Sequence, residues 1–350
     1  MVNSTERFWI PLTTTTGEIG FTLSVFSNII LLSLIHFRSN KHMGSYKSVL
    51  IFFCCFTLFY SCEEMFVRPL LHIYDDTLFL VHRKWFNFSK TVTRIISTMY
   101  CFCYALSFTL FALQFLYRYI ATCKPHLVQY FSGAWFLLWV LGTISVALSW
   151  QISAFFLFPQ NERTEQSFRH LCEDVYEIDY YMSDYMPYKY FYRDENNNKH
   201  PDIQNMMGIV QHLLVIFGSF YVLFYCGFKT WSTMQTMKGV SKKTRQLQYQ
   251  LFRALVVQTC LPMFFMYIPT AFMFFCPFFG IELGAVCNYQ TIIAQLYPGV
   301  DPMVVLLLIN DYRNAVLTIL RLKPVIKRNS SMSQTQSSRI TPARMNSIDE

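Results

Sequence analysis

Seven long apolar stretches follow one another along the chain, separated by shorter polar segments. They cover about residues 17 to 37, 48 to 70, 95 to 117, 134 to 158, 207 to 228, 254 to 279 and 284 to 309. Each reaches the roughly 20 residues that a helix needs to cross a hydrocarbon core about 30 Å thick. The third, fourth and sixth contain no Asp, Glu, Lys or Arg. The pattern predicts an all-α membrane protein, a bundle of seven transmembrane helices.

The composition indicates that lipid is the solvent for this apolar surface. Of the 350 residues, 53% are hydrophobic and 14% are charged, against roughly 25% charged in an average soluble domain. A chain so poor in charge cannot cover itself with a polar surface, which disfavours a soluble enzyme. The net charge of +8 does not indicate nucleic-acid binding, because the basic residues lie between apolar stretches and form no recognisable binding motif.

The basic residues are unevenly divided between the two sides of the predicted bundle. The segments after the first, third and fifth stretches and the tail hold 3, 2, 6 and 7 of them, which makes 18 of the 29. The same segments contain three of the 21 acids, namely Asp311, Asp349 and Glu350. Because Lys and Arg accumulate on the cytoplasmic side, we expect residues 1–16 to be extracellular and the carboxyl terminus to be cytoplasmic.

The remaining polar segments differ in character. Residues 310–323 place apolar side chains at helical spacing beside basic ones, which predicts an amphipathic helix on the membrane surface. Residues 324–350 are rich in Ser and Thr, so we expect a disordered tail. The segment from about 159 to 206 is compatible with a lid and equally with a solvated, partly disordered loop. Asn3 and Asn87 open sequons on the predicted outer side and are glycosylation candidates.

Asp301 is an acid placed well inside a predicted helix, a position that usually marks a function. Two prolines, Pro298 and Pro302, flank it, and they remove backbone donors and loosen the helix. We therefore expect a polar hinge, with a static polar contact as the alternative. Glu63 and Glu64 lie at the outer end of the second stretch, where we expect interfacial water to solvate them. Since no cluster of acids or histidines lies at membrane depth, the sequence predicts no catalytic, metal or cofactor site.

The sixth stretch contains Pro262, Pro269 and Pro277, so we expect its helix to be kinked more than once. A kinked helix can swing its inner end, which continues from a basic run. That run suits an acidic protein partner, although topology determination and anionic lipid explain part of its charge. Its basic residues are Lys242, Lys243 and Arg245.

Arg118 stands at the inner end of the third stretch, between two tyrosines. On physical grounds alone, such an arginine is a snorkelling anchor at the membrane interface. However, four motifs in order resemble a known family: His42 to Lys47, Tyr117-Arg118-Tyr119, Lys243 to Gln248 with Leu255 to Pro262, and Tyr297 to Pro302 with Asp311-Tyr312-Arg313. Over about residues 17 to 324, the chain resembles the Str family of nematode seven-transmembrane chemoreceptors, within the G-protein-coupled receptors.

The resemblance implies a receptor in the plasma membrane, in the sensory cilium of chemosensory neurons. It would bind a small environmental molecule outside, activate a heterotrimeric G protein inside, and have no enzymatic activity of its own. By that analogy, coupling and activation involve Arg118, Lys242, Lys243, Arg245, Pro262, Asp301, Pro302 and Arg313.

Two departures limit the analogy. Tyr117 stands where an acid usually precedes the arginine, which leaves no ionic lock of the usual kind. No lysine lies between Lys243 and Lys323, so a retinal Schiff base in the seventh helix is excluded.

A ligand pocket is expected between the outer halves of the helices, where buried polar groups have to find partners or a ligand. Tyr100 and Tyr104 are four residues apart and therefore share one helix face. The full set of candidates is Tyr100, Tyr104, His212, Tyr267 and Asn288. The abundance of Phe favours a small, largely apolar, odorant-like ligand, although lipid-facing surfaces use aromatic residues too.

A secondary transporter of a small solute is the main alternative. Transporters commonly consist of two related halves with broken helices and ion ligands near the midplane. Seven spans do not divide into halves, and in the sequence Asp301 alone is expected to be buried. Ligand-stimulated nucleotide exchange on a G protein would support the receptor, whereas solute uptake would support transport.

The predicted threading can be checked with epitope tags at both ends of the chain. Because the basic segments are expected inside, antibodies should reach the amino-terminal tag on intact cells. The carboxyl-terminal tag should become reachable only after permeabilisation. Accessibility of both tags on intact cells would contradict the orientation.

Overall fold

The computed structural model describes residues 4–38, 46–84, 88–194, 196, 198–236 and 242–319. Within these residues, seven segments are long and apolar enough to cross a membrane, which confirms the predicted number. They are Trp9–Phe37, Tyr46–Val67, Lys90–Cys123, Gly133–Phe156, Ile203–Thr236, Gln248–Phe279 and Ala285–Leu308, and we number these spans one to seven in chain order.

The helices are numbered α1 to α11 along the described chain. They are α1 Ser4–Arg7, α2 Trp9–Arg38, α3 Tyr46–Val67, α4 Lys90–Cys123, α5 Gly133–Phe156, α6 Glu162–His170, α7 Ile203–Thr236, α8 Lys242–Pro262, α9 Ile268–Phe275, α10 Asn288–Leu308 and α11 Asn310–Ile319. The strands are β1 Leu70–Tyr74, β2 Thr77–Arg83, β3 Ser183–Lys189, β4 Phe191–Arg193 and β5 Lys199–Pro201.

Helix α2 begins at Trp9, eight residues before the predicted start at 17, so most of the predicted extracellular segment 1–16 is helical. The early turns contain a run of four threonines, Thr13 to Thr16. In the structure their hydroxyls bond back to carbonyls one turn earlier, Thr13 to Trp9 and Thr16 to Leu12, both at 2.8 Å. Such bonds satisfy polar side chains within the helix itself.

The sixth span is broken as its prolines predict. Helix α8 ends at Pro262, a single π turn covers Met263–Tyr267, and α9 continues from Ile268. Proline removes one backbone donor and its ring clashes with the preceding turn, which favours such a local widening.

A three-stranded antiparallel sheet in the order β1-β2-β3 covers one end of the bundle, which we call the sheet end. Neither this sheet nor the short β4-β5 pair was expected, so the prediction of an all-α chain is incomplete. Residues 159–206 contain α6, a π turn, β3 and the β4-β5 hairpin, rather than an unstructured loop. The β1-β2 turn uses Asp75 and Asp76 at φ 47° and 53°, the left-handed conformations that tight hairpins require.

Side chains from several helices fasten the sheet to the bundle. Arg83 of β2 donates to the hydroxyls of Thr13 and Thr14 at 3.2 and 3.1 Å. Arg94 of α4 donates to the Tyr185 carbonyl of β3 at 3.0 Å. No disulfide takes part, because all eleven cysteines, which lie in the described residues, are free. Cys172, whose partner the sequence leaves open, is buried in a separate cluster with Phe79, Val81 and Tyr185 of the sheet.

Helix α4 is the centre of the bundle and packs against α3, α5, α7 and α8. Helices α2 and α10 pack more closely than side chains would allow. A Cβ atom on Gly20 would lie 2.2 Å from the Gln295 carbonyl oxygen, and one on Gly299 would lie 2.9 Å from Leu23 Cβ. Glycine is therefore required where the first and seventh spans touch.

We predict that Gly20→Ala separates these two helices and destabilises the fold by about 1–3 kcal/mol, the usual cost of overpacking. Gly142→Ala is the matched control, because nothing lies within 4 Å of a Cβ there. Ala should stabilise that helix by about 0.5–1 kcal/mol. Thermal unfolding of both purified variants would measure the difference, and an equal effect of the two substitutions would contradict the close packing.

Candidate functional site

A cavity of about 60 Å³ lies between the sheet and the helices. Leu71, Leu78 and Leu80 of the sheet form its roof, and α4, α5, α9 and α10 form its walls. A space of this size holds a few water molecules or a small organic molecule.

Tyr100 and Tyr104 line this cavity, as their shared helix face predicts. The Tyr104 hydroxyl donates to Thr270 Oγ1 at 2.7 Å and so joins the third span to the sixth. Tyr267 does not line the cavity, but its ring lies 6.0 Å from that of Tyr104. Its hydroxyl donates to Ser107 Oγ at 2.9 Å, a second link between the same two spans.

His212 lies behind the cavity wall rather than in it. Its ring stacks on Trp150, with centroids 4.1 Å apart, and Trp150 faces the cavity. One ring nitrogen, Nε2, lies 2.7 Å from Ser153 Oγ. His212 therefore positions a wall residue and does not line the cavity.

Asn288 supports the roof. Its side-chain oxygen accepts from the Leu71 amide at 2.9 Å, and its nitrogen donates to the Tyr176 hydroxyl at 3.0 Å. The same hydroxyl lies 3.0 Å from His72 Nδ1. Burial lowers the pKa of His72 to about 4, so this histidine is neutral at pH 7 and completes an uncharged network between β1 and α10.

Gln290 and Thr291 give the cavity one polar wall that the sequence analysis missed. Both line the cavity and both are buried, Gln290 at 5% exposed. Three polar atoms here have no hydrogen-bond partner among the described residues: the oxygen and the nitrogen of the Gln290 side-chain amide and the Thr291 hydroxyl. Buried groups of this kind are costly unless something pairs with them, which makes this wall the natural contact for a polar group of a ligand.

Glu64 is also buried, at 2% exposed, so the expectation that water solvates it is wrong. The sheet covers this end of the bundle, where the sequence suggested an open interface. The phenols of Tyr60 and Tyr100 face its carboxyl group. No hydrogen bond of ordinary length and angle reaches either oxygen from the described residues. The only indication of this buried acid in the sequence was the pair Glu63 and Glu64 at the end of an apolar stretch.

Arg118 lies at the opposite end of the bundle and is 1% exposed, so it is not a snorkelling anchor. Its guanidinium lies 3.7 Å from the centre of the Tyr46 ring, and Nη1 donates to Gln248 Oε1 at 3.1 Å. Tyr46 in turn stacks on Tyr117. The aromatic face takes the place of the missing acid, since a cation is attracted to the ring quadrupole.

Asp301 pairs with the sixth span. Its Oδ2 accepts from Gln258 Nε2 at 2.7 Å. The neighbouring prolines do not end α10. Pro302 has no N–H to donate to the carbonyl of residue 298, and the Asn28 side-chain amide donates to that carbonyl instead, at 3.2 Å. Pairing across helices is how freed backbone groups are satisfied in spans.

The other predicted coupling residues lie at the same end as Arg118. Arg245 is exposed beside Tyr249, and Arg313 donates to Asn310 Oδ1 at 2.7 Å. The side chains of Lys242 and Lys243, the sequons at Asn3 and Asn87, and the tail from 320 onward lie outside the described residues. Helix α11 falls within the predicted 310–323 helix.

Comparison with known proteins gives concordant matches. Residues 13–317 match the family described as "Serpentine type 7TM GPCR chemoreceptor Str". The chain is 39% identical to "Serpentine receptor class r-10" of Caenorhabditis briggsae, over 95% of this chain and 97% of that protein. It is 41% identical to the Caenorhabditis elegans protein of the same name, over 90% and 92%.

Among solved structures, squid rhodopsin superposes with a TM-score of 0.60 over 89% of this chain and 80% of that one, at 12% identity. At so low an identity, the likeness concerns the fold.

Proposed function

The chain belongs to the Str family of serpentine seven-transmembrane chemoreceptors, which are multi-pass G-protein-coupled receptors of the plasma membrane, and on that premise we propose that it activates a heterotrimeric G protein when a small environmental molecule binds under the sheet. We further propose that the sheet end faces outward and that the receptor acts in a sensory cilium. The concentration of basic residues at the opposite end supports this orientation.

The cavity suggests the class of ligand. Its roof and most of its walls are apolar, and Gln290 and Thr291 supply the unpaired polar groups. The complementary molecule is small and uncharged, with an apolar body and at least one hydrogen-bonding group. This refines the expectation of a largely apolar odorant.

Four hydrogen bonds along the sixth span carry the proposed mechanism. From the cavity inward, the span is joined to the third by Tyr104–Thr270 and Ser107–Tyr267, to the seventh by Gln258–Asp301, and again to the third by Gln248–Arg118. The π turn at Met263–Tyr267 lies between the first and the last of them. A ligand that displaces Tyr104 or Thr270 therefore acts on a span held by a few bonds, each worth about 0.5–1.5 kcal/mol.

Arg118 has two roles in this proposal. While Gln248 and Tyr46 hold it, the guanidinium is buried and closed to a partner. When the inner end of the sixth span moves away, the same cation becomes available to the acidic or carbonyl groups of a G protein. The run of basic residues in the sequence, Lys242, Lys243 and Arg245, would attract that partner.

Ligand-stimulated nucleotide exchange on a purified G protein, measured with the receptor in lipid vesicles, tests the proposal. We predict that Arg118→Ala reaches the cell surface and abolishes exchange, because the partner loses its buried contact. Lys124→Ala is the control, since Lys124 is exposed at the same end and should keep at least about half of the exchange rate.

Gln290→Leu separates binding from coupling in the same assay. It should raise the half-maximal concentration of an activating odorant about tenfold, the cost of one lost hydrogen bond to a buried group, and leave the maximum unchanged.

Full exchange by Arg118→Ala would refute the coupling role. Solute uptake without any exchange would favour the transporter.

A further inference from the structure

A second cavity of about 160 Å³ lies between the sixth and seventh spans, on the inner side of the ligand cavity. Its mouth is lined by Leu261, Phe265 and Val300. These three side chains are exposed, Phe265 at 56%. Because all three belong to spans, the mouth opens to the hydrocarbon of the membrane and not to water.

The inner wall of this cavity is polar. Gln258, Tyr297 and Asp301 line it, and all three are more than nine-tenths buried. Gln258 satisfies Asp301 Oδ2 at 2.7 Å. Among the described residues, Asp301 Oδ1 has no hydrogen-bond partner, and the Tyr297 hydroxyl faces that of Tyr267 without a hydrogen bond of ordinary length and angle. Unpaired polar atoms facing a lipid-filled opening are costly, since hydrocarbon cannot replace the missing bonds.

The chemistry of these two groups defines a complementary occupant. An alcohol hydroxyl donates one hydrogen bond and accepts another, so it can pair with Asp301 Oδ1 and Tyr297 together. The match holds whether Asp301 is ionised or protonated, because a hydroxyl serves as donor or acceptor. An ammonium group would also pair with the acid, but bringing a charge through hydrocarbon costs far more than bringing a hydroxyl. The apolar mouth suits an alkyl tail.

We propose that this lateral cavity binds a membrane-dissolved alcohol, with the hydroxyl on Asp301 and Tyr297 and the alkyl chain leaving between Leu261, Phe265 and Val300. The site is distinct from the cavity under the sheet. Its occupant bridges the sixth and seventh spans beside the Gln258–Asp301 bond and holds them together. Binding does not depend on G-protein coupling, so it can be measured on receptor that has no signalling partner.

The test uses purified receptor in phosphatidylcholine nanodiscs and a photoreactive dodecanol that carries a diazirine on its chain. Mass spectrometry of labelled peptides should place the adduct on the segments that contain Leu261 to Phe265 and Val300. Unlabelled 1-dodecanol should compete about fivefold better than 1-methoxydodecane, which cannot donate a hydrogen bond. Equal competition by the alcohol and the ether, or labelling spread evenly over the lipid-facing surface, would overturn the proposal.

Val300→Trp fills the mouth without changing either polar group. It should reduce labelling at least about fivefold. Leu307→Trp is the matched control, because it places the same side chain two turns further along α10 at a position that is 62% exposed. Labelling of Val300→Trp at the level of this control would contradict the site. The alcohol and ether comparison on the unchanged protein keeps the proposal testable if either variant folds poorly.

Discussion

Hydrocarbon offers no hydrogen-bond partners, so a polar side chain within a span has to find one in its own helix or on another. In this receptor that constraint falls most heavily on the sixth span, whose prolines and π turn interrupt its regular packing. Thr270, Tyr267, Gln258 and Gln248 each bond to the third or the seventh span. A short series of separate hydrogen bonds therefore adds to the apolar packing that positions this span.

The same constraint explains the sheet end. Backbone groups between the second and third spans, and again before the fifth, are paired in the three-stranded sheet. Arg83, Arg94 and Asn288 then fasten the sheet to the helices. Closing the bundle in this way buries Glu64 and leaves Gln290 facing a small cavity. The sheet thus encloses unpaired polar groups, and the proposed ligand cavity contains one of them, Gln290.

The sequence predicted what depends on local pattern and missed what depends on distant pairing. The seven spans predicted from apolar length are confirmed by the structure, and Pro262 stands at the break in the sixth. The resemblance to the Str family is confirmed by the matches across the chain. The sheet was missed because β3 lies about a hundred residues after β2, its partner, and because β1 follows almost directly after the second span. His212 and Asn288 were predicted to contact a ligand, but stacking on Trp150 and bonds to Leu71 and Tyr176 occupy them instead.

We propose that hydrogen bonds to Arg118 and Asp301 hold the inner end of the sixth span in place. Electron paramagnetic resonance can measure the distance between spin labels on non-natural side chains at positions 126 and 246, which are exposed just after the third span and just before the sixth. In receptor with Gln248→Leu and Gln258→Leu, we expect the distribution to shift to longer distances without any ligand. A distribution identical to that of the unchanged receptor would show that these bonds do not hold the span.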